Sequence, residues 1–145
     1  MYDIATLELD DGIVMVAVNA IINGQTFVPG PGGNYRLFAV NDKKVIGDGG
    51  ANRHVLVIVG HGGANELSGC RTWTEFRQSV TGGVDWSNAA TVYVAACSTL
   101  GEDGTQFLHG SIANDIKAAF PGATVWASTS NVRAGDLAGN WERLR

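Results

Sequence analysis

From residue 55 onward the chain alternates between two kinds of apolar spacing. Val55-Leu56-Val57-Ile58-Val59 is an unbroken apolar run, the pattern of a strand buried on both faces of a parallel sheet. Thr72 with Glu75 three residues later predicts a capped helix start, and Trp73, Phe76 and Val80 then share one helical face. Thr91-Val92-Tyr93-Val94-Ala95-Ala96 predicts a second strand. Leu108, Ile112, Ile116 and Phe120 recur every four residues and predict a second helix, which Pro121-Gly122 stops. Thr124-Val125-Trp126-Ala127-Ser128 predicts a third strand, so the order is that of a mostly parallel sheet with covering helices.

The first fifty residues read differently. Ile13-Val14-Met15-Val16-Ala17-Val18 and Tyr35-Arg36-Leu37-Phe38-Ala39-Val40 predict strands, with a tight turn at Asn23-Gly24 and a turn cluster at Pro29-Gly30-Pro31-Gly32-Gly33. The expected fold class is α/β in a single domain. Residues 1–50 form an antiparallel strand-and-loop part, and residues 51–145 form the parallel core. A chain of 145 residues is long enough to bury such a core without disulfide or metal staples.

Composition removes several function classes. With 45% apolar and 17% charged residues the chain matches a soluble globular fold and not a disordered one. A net charge of −4 with no cluster of Lys or Arg argues against a nucleic-acid partner. No window approaches the roughly 18 apolar residues of a membrane span, and Met1-Tyr2-Asp3-Ile4 does not open a secretory leader. The expected location is cytoplasmic, or outside the cell by a route that needs no cleavable signal peptide. Two cysteines, Cys70 and Cys97, are too few for a disulfide scaffold, which favours a reducing compartment. The 20 glycines place the distinctive chemistry in loops.

Two loops carry reactive side chains. His61 follows the first core strand in Gly60-His61-Gly62-Gly63, and Cys97 follows the second in Ala95-Ala96-Cys97-Ser98. One strand-helix-strand unit separates them, so a right-handed crossover brings the two strand ends side by side at the ligand-binding edge of the sheet. A thiolate is a strong nucleophile, and an imidazole moves protons near neutral pH. The Gly62 and Cys97 amides are suitably placed to hold a developing oxyanion. No third residue that would orient His61 is evident. Cys70 reads as structural or as a free thiol, and His54, His109, Glu102 and Asp103 read as surface.

At these residues the chain resembles the caspase-like cysteine peptidases. His-Gly after one apolar strand and Ala-Cys after the next form the core pattern of that superfamily, which includes caspases, gingipains, clostripain and separase. It also includes the self-processing domains of large bacterial toxins and the CHAT domains. The similarity spans residues 54–132, and Ala96-Cys97-Ser98-Thr99-Leu100-Gly101 is closest to the bacterial toxin and CHAT-type members. The resemblance implies a caspase-like three-layer sandwich. It further implies a soluble thiol protease in which Cys97 is the nucleophile, His61 the acid/base, and Gly62 and Cys97 the oxyanion donors. Ser128, Thr129 and Ser130 would line the substrate pocket. The implied partner is a peptide or protein substrate, with neither cofactor nor metal.

Two other readings compete. His61-Gly62-Gly63 is similar to the oxyanion motif of α/β-hydrolase esterases, but the chain contains no Gly-x-Ser-x-Gly elbow. A catalytically inactive caspase-like module would bind a peptide or partner chain in the same cleft. His61, Cys70, Cys97 and His109 are zinc-ligand types without the tight paired spacing of zinc motifs. No glycine-rich stretch continues into the Gly-Lys-Ser/Thr of a phosphate-binding loop.

Overall fold

The computed structural model describes residues 2–26, 35–39, 46–47, 55–63, 65–80, 86–96, 112–128 and 130–144. Cys97, Thr129, Leu108, the two remaining histidines and the Pro29–Gly33 cluster lie outside the described residues. The elements are β1 (Tyr2–Thr6), α1 (Gly12–Ile22), β2 (Tyr35–Phe38), β3 (Ile46–Gly47), β4 (Val55–Val59), β5 (Gly62–Gly63) and β6 (Glu66–Leu67). They continue with α2 (Trp73–Ser79), β7 (Thr91–Ala95), α3 (Ile112–Ala119), β8 (Thr124–Ser128) and β9 (Trp141–Leu144). Among the described residues, seven strands form one sheet in the order β3-β2-β1-β4-β7-β8-β9, and β5 and β6 form a small separate hairpin. β2, β1, β4, β7 and β8 run parallel, while β3 and β9 run against their neighbours. The protein is therefore a mixed α/β fold with a mostly parallel central sheet.

The core strands alternate in which face they feed, as a buried parallel sheet requires. Leu56, Ile58, Val92, Val94 and Val125 pack with α2 and α3, whose inward residues include Phe76, Ile112 and Ile116. Val57, Val59, Tyr93 and Ala95 pack with Val14, Ala17, Val18 and Ile21 of α1. Helices thus cover both faces. The expected helix start at Thr72 is present: its hydroxyl accepts the Glu75 amide at 3.1 Å, and the Glu75 carboxylate accepts the Arg71 amide at 3.0 Å.

The amino-terminal part corrects the sequence reading. Ile13–Val18 is helix, not strand, and β1 pairs in parallel with both β2 and β4; among the described residues of this part only β2 with β3 is antiparallel. Asp11 caps α1, its carboxylate accepting the Ile13 and Val14 amides at 2.9 and 3.0 Å. The buried positions 14, 17, 18 and 21 then form a helical stripe that leaves Ile13 and Val16 exposed. Asn23-Gly24 is the end of this helix, with Gly24 at φ 69° in the left-handed region.

β1 was not apparent from hydropathy because a charged residue lies within it. Asp3 is fully buried. It accepts two hydrogen bonds from Arg36 of β2, at 2.9 and 2.8 Å, and one from the Trp86 indole at 2.8 Å. A carboxylate without such partners would be expelled from this position, so Arg36 and Trp86 are what make the strand buriable.

Candidate active site

The strand order reverses direction between β1 and β4. The chain leaves β1 through α1 toward β2 on one side, and leaves β4 through α2 toward β7 on the other. In open α/β sheets the loops at such a switch point part to form a crevice beyond the carboxyl ends of the strands. Both loops bear polar side chains here. The β1–α1 loop contributes Glu8 and Asp11, and the turn after β4 contributes His61.

His61 is held from two sides. Its amide donates to Glu8 Oε1 at 3.0 Å, and its Nε2 meets Asp11 Oδ2 at 2.9 Å. Asp11 Oδ1 is engaged with the first turn of α1, so a single carboxylate both caps the helix and contacts the imidazole. The Val14 amide, followed by the hydrogen bond to His61, holds the Asp11 carboxyl below the ordinary carboxylate range. An ionised carboxylate only accepts, so the ring nitrogen facing it carries the proton. Nδ1 is then the acceptor in the neutral ring. The imidazole remains half exposed, open to a reacting partner.

The loop beyond His61 is compact. β5 pairs with β6 in the register Gly62 to Leu67, and the Ser68 amide donates to the His61 carbonyl at 2.7 Å. A Cβ on Gly60 would stand 2.1 Å from Ser68 Oγ and 3.2 Å from Glu8 Oε1, so a side chain there would require both of these side chains to shift. Ser68 has φ 52°, and its buried hydroxyl oxygen has no hydrogen-bond partner among the described residues. Cys70 lies in the core under this hairpin, where burial and then the Glu75 charge push its thiol pKa up. A thiol in that environment stays protonated and unreactive at neutral pH.

β7 ends beside this loop. Val59 is in register with Ala95, and the Gly60 amide donates to the Ala95 carbonyl at 3.4 Å. Gly60, His61, Ala95 and Ala96 together border a shallow depression. Ala96 is the last described residue before Cys97. The structure therefore brings the exits of the two predicted strands together, as the crossover argument requires.

Ser128 and Ser130 occupy a different place. The Ser128 hydroxyl is buried and donates to the Ser130 carbonyl at 2.9 Å, while Ser130 Oγ accepts the Asn140 amide at 2.8 Å. Both hydroxyls are thus engaged within the connection from β8 to β9. A Cβ on Gly139 would approach the Asn131 carbonyl to 2.9 Å, so this connection is tightly packed. What reaches the depression is the next segment, through Val132, Ala134 and Leu137. Leu137 has φ 60°, a conformation costing roughly 1–2 kcal/mol for a side chain with a Cβ. It is held there by its amide on the Arg133 carbonyl and by the Trp141 indole on its own carbonyl at 2.8 Å. Arg133 is in turn paired with Asp136.

Glu8, Asp11 and His61 place one ligand-type atom each within 4.8 Å of one another. Oxygen and imidazole donors of this kind suit a divalent transition ion. The His61–Asp11 hydrogen bond already satisfies two of the three, so the arrangement is complete without one. No protein-family model matches the chain, and no curated protein is detectably similar to it. The chemistry must therefore be read from the residues.

Sequence reasoning missed Asp11. The available signal was an Asp-Gly pair directly before an apolar run, which is an N-cap signature, in the first strand-to-helix loop. In a parallel sheet that loop and the one after β4 open at the same edge.

Proposed function

We propose that this chain is a caspase-like cysteine endopeptidase in which Cys97 and His61 form the catalytic dyad and Asp11 positions the imidazole. The observation that carries the reading is the meeting of Gly60-His61 and Ala95-Ala96 at one depression, with the Asp11 carboxylate on His61 Nε2 and Cys97 next in sequence after Ala96. The strand order around β1, β4, β7, β8 and β9 and the helices on both faces are compatible with the three-layer sandwich of that superfamily.

The chemistry follows from these roles. His61 Nδ1 takes the proton of the Cys97 thiol, and Sγ attacks the peptide carbonyl carbon. The tetrahedral oxyanion is held by the Gly62 and Cys97 amides. The carbon–nitrogen bond breaks as the imidazolium returns its proton to the leaving amine. Water, deprotonated by the same imidazole, then releases the acyl group and restores the thiol. Asp11 stabilises the imidazolium formed between these steps and fixes which nitrogen faces the thiol.

The test is acylation. Wild-type protein is treated with peptidyl electrophiles and hydrolysis of a peptide library is followed by mass spectrometry, with Cys97→Ala and His61→Ala as controls. Labelling of Cys97 together with cleavage that both variants lose is the expected result. Peptide binding without acylation of Cys97 would instead establish a catalytically inactive binding module in the same cleft.

A further inference from the structure

Three donors from two loops converge at the start of α1, and the dyad does not use all of them. Each carboxylate has one oxygen anchored on backbone: Glu8 Oε1 accepts the His61 amide, and Asp11 Oδ1 accepts the Ile13 and Val14 amides. The other oxygen of each faces the imidazole. Asp11 Oδ2 lies 2.9 Å and Glu8 Oε2 3.9 Å from Nε2, and one ligand-type atom of each residue lies within 4.8 Å of the other two. Nε2 carries at most one proton, which is directed to Asp11, and 3.9 Å is too long for a hydrogen bond to Glu8. Two carboxylates thus share one imidazole. Among the described residues neither is paired with a lysine or an arginine.

A second observation lies beside Gly60. The Ser68 hydroxyl oxygen is buried and has no hydrogen-bond partner among the described residues. The point where a Cβ on Gly60 would lie is 2.1 Å from that oxygen and 3.2 Å from Glu8 Oε1, so no side chain of residue 60 separates the hydroxyl from the carboxylate. A buried orphan of this kind is explained by an ion or a water held next to it. The spacing of the donors fits a small ion. Zinc bonds of about 2.0–2.2 Å put neighbouring ligand atoms of a tetrahedron about 3.3–3.6 Å apart. The 2.9 and 3.9 Å separations from Nε2 bracket that value, so shifts of about half an ångström would complete the geometry. The anchoring of both carboxylates on backbone amides supplies the outer shell that orients metal ligands.

We propose that Glu8, Asp11 and His61 Nε2 form a binding site for a divalent transition ion of the zinc type, with a fourth coordination position open to water. Imidazole nitrogen among the donors selects against Mg2+ and Ca2+, which take oxygen. The hydrogen bond between His61 and Asp11 needs no ion; binding exchanges its proton for one. The Nε2 lone pair then goes to the ion, and the single ring proton of the neutral imidazole resides on Nδ1. Cys97 is not a ligand of this site, because the ion occupies the nitrogen opposite the one assigned to the thiol. One consequence rests on the peptidase reading: with Nδ1 protonated, His61 no longer accepts the thiol proton. Occupancy by the ion therefore withdraws the base without touching the nucleophile.

The experiment is a calorimetric titration of Zn2+ into Cys97→Ala protein, with Mg2+ as the control ion. One Zn2+ per chain is expected, and no Mg2+ at the same concentrations. Glu8→Gln and His61→Gln, each in the same background, are expected to weaken Zn2+ binding by about tenfold or more. Glu8→Gln keeps an acceptor for the His61 amide, so an unchanged melting temperature without metal shows that a ligand was lost and not the fold. Nitrogen chemical shifts of the His61 ring are expected to place its proton on Nε2 before Zn2+ is added and on Nδ1 afterwards. Wild-type protein loaded with Co2+ is expected to lack a thiolate charge-transfer band. Absence of Zn2+ binding, binding that either variant leaves intact, a thiolate band, or an unchanged His61 ring would overturn the proposal. None of these readouts uses a peptide, so they stand apart from the acylation test. Failure to acylate Cys97 ends the peptidase reading and leaves the metal site; failure to bind Zn2+ ends the metal site and leaves the peptidase reading.

Discussion

Between the sheet and helices α2 and α3, Trp73 touches three other rings: it stacks on Phe76 at 5.8 Å, meets Phe120 edge-on at 5.1 Å and lies 6.1 Å from Trp86. Phe38 closes the cluster against Trp86 at 5.4 Å. The opposite face, under α1, is filled near the site by Val14, Ala17, Val18, Val59 and Ala95, with its aromatic rings set farther out at Tyr2, Tyr35, Tyr93 and Trp141. Large interlocking rings exclude voids and tolerate little change. Small aliphatic residues leave a recess where the helix begins. The division of labour is spatial: one face supplies most of the rigid packing, and the other gives up packing density next to His61.

The sharpest way to break this comparison is to alter chemistry on the α1 face without altering packing. Asp11→Asn retains an N-cap acceptor but presents an amide to His61, which favours the wrong tautomer. We expect kcat/KM for peptide hydrolysis to fall by about 10²–10⁴-fold with little change in melting temperature. A loss of activity accompanied by unfolding would mean that the carboxylate acts only as a cap.

Core truncations on the two faces should differ in size. Phe76→Ala removes a fully buried ring between α2 and α3 and is expected to cost about 3–5 kcal/mol in urea unfolding. Val14→Ala removes two methyl groups from a wall that already opens to the depression, so no sealed cavity forms. About 1.5 kcal/mol is expected from lost apolar burial alone. Similar costs for the two would show that the faces are equally well packed.

Acid should loosen the α1 side. Asp136 is pulled down to about 2 by its hydrogen bonds from Arg133 and from the Ala138 amide, and Asp11 is also lowered. Because these carboxyls bind protons less readily when folded than when unfolded, they stabilise the fold above about pH 4, and the contribution is lost as the pH falls toward 2. Melting temperatures measured between pH 5 and pH 2 should decline less steeply in Asp136→Asn than in the wild type. Smallest of all, Ser68→Gly removes a buried hydroxyl that has no partner among the described residues and relieves a left-handed backbone. A gain of up to about 1 kcal/mol is expected in the same unfolding assay.

The difference between the faces also explains what the sequence could reveal. The strands at 55–59, 91–95 and 124–128 are legible because burial on both sides demands continuous apolar runs, and α2 is legible through Thr72 and Glu75. The run Ile13–Val18 misleads because β-branched residues fit a strand as readily as a helix, and the deciding positions, 14, 17, 18 and 21, extend beyond it. β1 is hidden because Asp3 looks like a surface residue until Arg36 and Trp86 are seen around it. For the site, His61 and its neighbouring strand end at Ala95-Ala96 are legible from spacing. Asp11 is not, because its contact with His61 spans fifty residues and depends on which strands flank β1.

The central position of β1 has a kinetic consequence. Tyr2–Thr6 is bordered on one side by β2 and on the other by β4, so during synthesis this strand must wait for Val55–Val59 before its second edge is covered. Loop closures of that length are entropically costly and slow the nucleation of parallel pairings. In the nascent chain, α1 and its aspartate cap can form early, whereas the imidazole meets that carboxylate only once the middle of the sheet has closed. If the proposed dyad is correct, a thiol site assembled by such a late step stays silent until the domain has folded.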